Sequence, residues 1–242
     1  MSTPITLLNP RRPGPVTIVV MDGIGCRVST EGNAVAQAFT PHLDWLLEHC
    51  PHTLLRAHGT AVGLPSDEDM GNSEVGHNAM GAGRFYPQGA RLVNEAIDSG
   101  RIFRSRAWEL LTSHVKANHG TLHFLGLFSD GNVHSHLDHL KKMITRAAFE
   151  DGIQKVRVHA LLDGRDVGET SALEYVLPFE AFLKDVNERA GVDYRIASGG
   201  GRMKVTMDRY EADWGMVALG WKTHIAGAGR RFASAEEAIT TF

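Results

Sequence analysis

Four short apolar runs in this chain end in the same way. VVMDGIG, LFSDGNVH, LLDGRD and IASGGGR each place Asp, Arg or Gly immediately after a β-rich stretch. The runs span 16–21, 121–127, 156–162 and 194–197, with a weaker one at 53–57. Helical patterns lie between them. Thr40 is placed to cap a helix with Pro41 at its first position and Leu43, Leu46 and Leu47 at helical spacing. Another helix opens at Ser73, and others cover 90–98, 107–117, 135–150 and 170–190. Strands alternating with helices of this length predict an α/β fold of mostly parallel sheets with flanking helices. Ligands of open α/β sheets collect beyond the carboxyl ends of the strands. One Asp-Gly after a strand only turns the chain. Four such loops in the same topological place predict a site.

Charge and cysteine content narrow the function classes. Twenty-five basic residues face 28 acidic ones, for a net charge of -3. No overall basic field exists to hold a nucleic-acid backbone. The two cysteines, Cys26 and Cys50, are too few for a disulfide-stapled scaffold, and two buried thiols in a reducing compartment are expected. The opening MSTPITLLNPRRPGP has no sustained apolar core of a signal peptide, and no stretch approaches the ~20 apolar residues of a membrane helix. The expectation is a soluble, cytoplasmic protein without nucleic-acid or membrane partners.

Three constellations could carry chemistry. The least generic is LPSDEDMGNSEVGHNAMGAGR, 64–84, where Gly71 precedes Ser73 at a helix start. The positive end of a helix favours a developing alkoxide or a bound phosphate. Serine is also a preferred N-cap, and its hydroxyl needs activation to become a nucleophile. Nearby in sequence are His77, Asp67, Glu68 and Asp69, and Asp22 ends the first strand. Spacing alone leaves both roles of Ser73 open. The second constellation is His134-Ser-His136-Leu-Asp138-His139, which matches the H-x-H-x-D-H dinuclear zinc motif of metallo-β-lactamase-like hydrolases. That fold is β-rich and takes further downstream ligands, whereas only His159 and His224 follow here. Capping or exposed roles compete for His136 and His139. The third is basic: Arg165-Asp166 after Asp163-Gly164, and Arg202 after a glycine triplet, followed by Arg209. Glycine-flanked arginines suit a bidentate grip on phosphate or carboxylate. The triplet lacks the G-x-G-x-x-G spacing of a dinucleotide fingerprint.

Taken in order, VVMDGIG, LPSDEDMGNSEVGHNAMGAGR, LFSDGNVHSHLDHL, HALLDGRDV and SGGGRM with VTMDRYEADW resemble cofactor-independent phosphoglycerate mutases of the alkaline phosphatase superfamily. The matches extend from about Thr17 to Trp221, and GGGRM resembles the plant and trypanosomatid branch. The resemblance implies that Ser73 is transiently phosphorylated while 3- and 2-phosphoglycerate interconvert. It further implies that Asp22 and Ser73 bind two divalent metals, manganese first, with magnesium or cobalt as substitutes, and that no 2,3-bisphosphoglycerate is needed. His134, Arg165, Asp166, Arg202 and Arg209 fall on the substrate-binding positions, and Asp166 on the group that moves protons between the two hydroxyls of glycerate.

By the same resemblance, residues 1–86 are the first segment of a discontinuous phosphatase-like metal domain. Residues 87–242 are an inserted substrate-binding transferase domain, incomplete at its C-terminal end. Full-length relatives are roughly twice as long and monomeric, and they bring further Asp, His, Arg and Lys site residues. A two-metal site takes more protein ligands than Asp22 and Ser73, so the chain is expected to be inactive alone. Two other functions compete: a zinc hydrolase at 134–139, and a non-catalytic remnant that binds phosphorylated acids.

Overall fold

The computed structural model of the chain describes residues 14–15, 17–21, 24, 26–205, 211 and 213–242. The chain divides into two compact units, residues 1–55 and 56–242.

In the first unit, α1 (Ala34–Gln37) is capped by Asn33, whose side chain accepts from the Ala36 N–H. Helix α2 (Pro41–His49) begins as expected, with Thr40 at the cap and Pro41 at the first position. Proline suits that place because its fixed φ is helical and its missing N–H would have had no acceptor. The strand expected at 16–21 does not form among the described residues, and Ile18 and Val19 are 80% and 76% exposed. A strand needs a neighbour to take its backbone groups, and no strand is described in this unit. Residues 53–57 likewise carry no strand, with Leu54 and Leu55 exposed. The expected burial of both thiols also fails, since Cys26 is exposed and Cys50 only half-buried.

The second unit contains α3 (Ser73–Ala82), α4 (Gly89–Asp98), α5 (Arg106–Ala117), β1 (Leu122–Phe128), α6 (Leu137–Phe149), β2 (Lys155–Leu162), α7 (Ala172–Ala190), β3 (Asp193–Gly201), α8 (Arg202–Val205), α9 (Trp214–His224) and α10 (Ala235–Thr241). The strands form a parallel sheet in the order β1-β2-β3, with α6 and α7 as crossovers. This is the α/β arrangement the alternation predicted. One sheet face carries Leu122, Phe128, Val156, Val158, Ala160 and Tyr194 into the main core. Trp108 and Val115 of α5, Ile144 and Ala147 of α6, and Phe179 and Leu183 of α7 close over it. Central β2 is buried from Val158 to Leu161, His159 included, as the middle strand of a parallel sheet.

Strand β3 runs past residue 197 into the glycine triplet. A Cβ on Gly199 would lie 3.1 Å from the Ala160 carbonyl oxygen, and one on Gly200 3.0 Å from Val205. The triplet lets β3 and α8 close on the sheet. A bulge at Val158/His159 sets Ser198 opposite His159. Ser198 Oγ then bonds His159 Nδ1 at 2.6 Å and His224 Nδ1 of α9 at 2.7 Å, and His159 Nε2 meets His123 Nδ1 at 2.9 Å.

Burial, with the neighbouring imidazoles adding to it, holds the pKa of His159 below the ordinary value of 6.5. Burial does the same for His224, and for His139 on α6. These rings are therefore neutral when folded and protonate more readily when unfolded. Their contribution to stability is complete above pH 6.5 and is lost as the pH falls through their lower folded values. The thermal midpoint should drop as the pH is lowered from about 7 to about 5, and a flat profile would contradict the burial of these rings. No helix among the described residues is long and apolar enough to cross a membrane.

Candidate functional site

The strand register assembles the first part of the site. Phe128, Leu162 and Gly201 end their strands in adjacent register, so Ser129, Asp163 and Arg202 are the next residues on three neighbouring strands. The side chains of Asp163 and Arg202 are fully buried. Asp163 Oδ1 accepts from Arg202 Nη1 at 2.6 Å, and from the backbone N–H groups of Arg165 and Asp166 at 3.3 and 3.1 Å. Arg202 Nη1 also donates to Asp166 Oδ2 at 2.8 Å. His134 Nε2 lies 4.0 Å from the same Asp166 oxygen. A Cβ on Gly131 would meet the Asp166 carbonyl oxygen at 3.0 Å, so the loop carrying His134 passes close to the one carrying Asp166. Arg165 is exposed.

Electrostatics fix the charge states here. Burial works against an ionised Asp163, but hydrogen bonds from Ser129, the Asp166 N–H and Arg202 outweigh it and hold its carboxyl below the usual range. Burial likewise works against charged Arg202, and its bonds to Asp166 and Asp163 overcome that penalty. Arg202 Nε and Nη2 and Asp163 Oδ2 are buried without a protein partner among the described residues. Buried donors of this kind call for water or a bound anion.

The second part is the start of α3. Asn72 is the N-cap and accepts from the Val75 N–H at 3.0 Å, so Ser73 occupies the first helical position. The capping role weighed for Ser73 thus belongs to its neighbour. Ser73 is exposed, at the positive end of a ten-residue helix whose first N–H groups lack intrahelical acceptors. His77 Nδ1 lies 2.8 Å from the Ser73 carbonyl oxygen and 3.2 Å from Ser73 Oγ. A proton on Nδ1 satisfies the shorter contact, whereas a lone pair there would face the carbonyl lone pairs. His77 is therefore a donor at this position, and the Ser73 hydroxyl proton remains free for another acceptor.

The H-x-H-x-D-H run does not gather as a metal-binding group among the described residues. His136 caps α6, its Nδ1 accepting from the Asp138 N–H, and His139 Nε2 pairs with Asn94 of α4. His134 turns toward Asp166. His134, His136 and His139 also line a cleft of about 440 Å³ beside α4 and β1. Asp22 and Arg209 lie outside the described residues.

Residues 93–242 match the family described as the BPG-independent PGAM N-terminus. The chain belongs to this family. Members of the BPG-independent phosphoglycerate mutases are similar to it well beyond that segment. A probable 2,3-bisphosphoglycerate-independent phosphoglycerate mutase of Leptospira interrogans is 55% identical over 229 residues, covering 94% of this chain and 41% of the relative. The corresponding enzyme of Trypanosoma brucei brucei is 50% identical over 234 residues, covering 96% and 42%. The phosphoglycerate mutase of Leishmania mexicana, solved at low cobalt concentration, superposes with a TM-score of 0.79 at 50% identity. That match covers 86% of this chain and 38% of the Leishmania chain. The chain thus spans about two-fifths of the length of the curated relatives it matches.

A divalent metal fits poorly onto the described residues alone. Among them no three His, Cys, Asp or Glu side chains gather as a metal-binding group. Ser73 Oγ is exposed, with His77 as its neighbour. One serine oxygen is not a metal site.

Sequence reasoning named Ser73, His134, Arg165, Asp166 and Arg202, and missed Asp163 and Asn72. Asp163 read as a turn residue, because its pairing with Arg202 depends on the register of β2 and β3. Asn72 could have been found, since Asn is as good an N-cap as Ser.

Proposed function

We propose that this chain supplies the phosphoryl-accepting serine and the anion-binding loops of a 2,3-bisphosphoglycerate-independent phosphoglycerate mutase. The observation that carries this is the convergence of His134, Asp166 and Arg202 beyond the three strand ends, with two buried Arg202 donors unpaired among the described residues. Family membership and the shared identity with such mutases support it. A phosphorylated hydroxy acid has the charge and size such loops accept.

In the proposed reaction, Ser73 Oγ attacks the phosphorus of 3-phosphoglycerate. The Oγ–P bond forms, the ester P–O bond breaks, and the glycerate O3 takes up a proton. Glycerate turns within the loops, its O2 attacks the phosphoserine, and Ser73 leaves with its oxygen reprotonated. Asp166 is assigned the transfer of the proton between O2 and O3. His134, Arg165, Arg202 and Arg209 hold carboxylate and phosphate while the substrate turns. Such transfers depend on positioning and on stabilisation of charge. The two divalent ions, manganese or else magnesium or cobalt, and the role of Asp22 in holding them, belong to the complete enzyme. Residues 1–86 and 87–242 are assigned to its metal domain and its inserted transferase domain.

The test is turnover, followed by coupling 2-phosphoglycerate to its dehydration. The purified 242-residue chain with manganese should show no conversion of 3-phosphoglycerate above background. The same chain joined to the remainder of a similar mutase should show robust turnover. Robust conversion by the chain alone would contradict this assignment of labour. Binding of 3-phosphoglycerate without turnover in the joined protein would favour a non-catalytic binding role.

A further inference from the structure

Among the described residues, one side-chain hydrogen bond joins the segment leading to Ser73 to the loop carrying His134. Asn132 Nδ2 donates to Asp69 Oδ1 at 2.7 Å across 63 residues of sequence. The other carboxylate oxygen, Oδ2, accepts from the N–H and the hydroxyl of Ser66 at 2.7 and 2.8 Å. The Asp69 carbonyl accepts from the Gly59 N–H at 3.0 Å. Asp69 and Asn132 are both half-buried. Asn132 has φ +55, in the left-handed region that asparagine tolerates better than most residues.

Little slack separates this bond from the two chemical groups. Asn132 precedes His134 by one intervening residue. On the other side, the Gly71 N–H donates to His58 Nδ1 at 3.0 Å, and a Cβ on Gly71 would lie 1.9 Å from the Ala57 carbonyl oxygen. Asn72 then caps α3 and fixes Ser73 at its start. Gly71 thus lies flat against residues 57–58, and the chain from Asp69 to Ser73 is held at successive points.

We infer that Asp69 and Asn132 are positioning residues that keep the Ser73 end of α3 in register with the His134 loop. Substrate held on that loop would then present its phosphorus to the hydroxyl. The inference rests on Ser73 as the phosphoryl acceptor, and it adds two residues that need not touch substrate. The carboxylate makes this bond charge-assisted, which strengthens it relative to a neutral pair.

Three variants of this chain isolate the bond. Asn132→Gly removes the amide and keeps the positive φ comfortable. Asn132→Asp sets a carboxylate against a carboxylate. The double variant Asp69→Asn/Asn132→Asp reverses donor and acceptor, so the bond can re-form while an oxygen at position 69 still accepts from Ser66. Hydrogen exchange read by mass spectrometry should show amides 66–76 opening about tenfold faster in both single variants, and returning toward wild type in the double variant. Unchanged exchange in both single variants would overturn the inference.

A second readout separates the bond from the reaction proposed for the site. Adding 3-phosphoglycerate to the wild-type chain should shift the NMR signals of the His134 ring and the Ser73 amide together. In Asn132→Gly the His134 ring should still shift and the Ser73 amide should not. A Ser73 response that survives this substitution would overturn the coupling. If the ligand moves neither signal in wild type, the anion site fails instead, and the exchange pattern alone decides whether the bond positions α3.

Discussion

Arg202→Met should be among the most destabilising single substitutions in this chain. It removes the cation between Asp163, whose side chain is fully buried, and Asp166, whose side chain is 12% exposed. Methionine fills much of the volume, so the loss is electrostatic more than steric. Breaking a buried ion pair by deleting one partner costs roughly 3–5 kcal/mol, because the remaining charge stays buried and unpaired. That is a large fraction of the roughly 5–15 kcal/mol by which a domain is stable. Adding Asp163→Asn should recover part of the loss, since it neutralises the carboxyl left behind and keeps an acceptor for the Arg165 and Asp166 N–H groups. Chemical denaturation of the two variants and their combination gives the coupling directly. A loss below about 0.5 kcal/mol for Arg202→Met would mean that the pair is not buried as described.

Ser73→Ala should separate stability from reaction. Asn72, not Ser73, accepts the Val75 N–H, so the substitution removes no helix cap. Its effect on stability should stay within about 0.5 kcal/mol, as for most exposed changes away from special contacts. Asn72→Ala, by contrast, should cost about 1 kcal/mol. In the enzyme formed by joining this chain to the remainder of a similar mutase, Ser73→Ala should lower turnover more than about a thousandfold, because the atom that carries the phosphoryl group is gone. Binding of 3-phosphoglycerate through His134 and the arginines should persist. Turnover near wild type in a folded Ser73→Ala protein would refute the covalent route.

Where the sequence could be read, the signals were local. Thr40-Pro41 marks a helix start by itself, and Gly83 and Gly191 end α3 and α7 at positive φ. The apolar runs of β1 and β2 predict strands, and the two pair in parallel, with β2 buried along most of its length and β1 at its two ends. Residues 17–21 carry an equally apolar run, but strand formation depends on pairing partners, and none is described there. Helix α9 was missed because Met216 and Leu219 lie on the side opposite the Trp214, Val217 and Trp221 stripe, so apolar side chains surround the helix. Strand β3 reads as ending at 197, since glycine has low strand propensity. Its extension to Gly201 follows from close contacts with Ala160 and Val205. The site shows the same division. Asp-Gly and glycine-flanked arginine after each strand were legible, whereas the burial of Arg202 between two carboxylates and the Asp69–Asn132 bond are products of register and long-range packing.

The most direct measurement is the location of the phosphoryl group during turnover. The joined enzyme would be mixed with 3-phosphoglycerate, quenched in denaturant within the first turnovers, digested and sequenced by mass spectrometry. The account predicts phosphate on the peptide containing Ser73, absent from Ser73→Ala. Phosphate on a different residue, or sustained conversion to 2-phosphoglycerate without a phosphorylated Ser73 peptide, would contradict it.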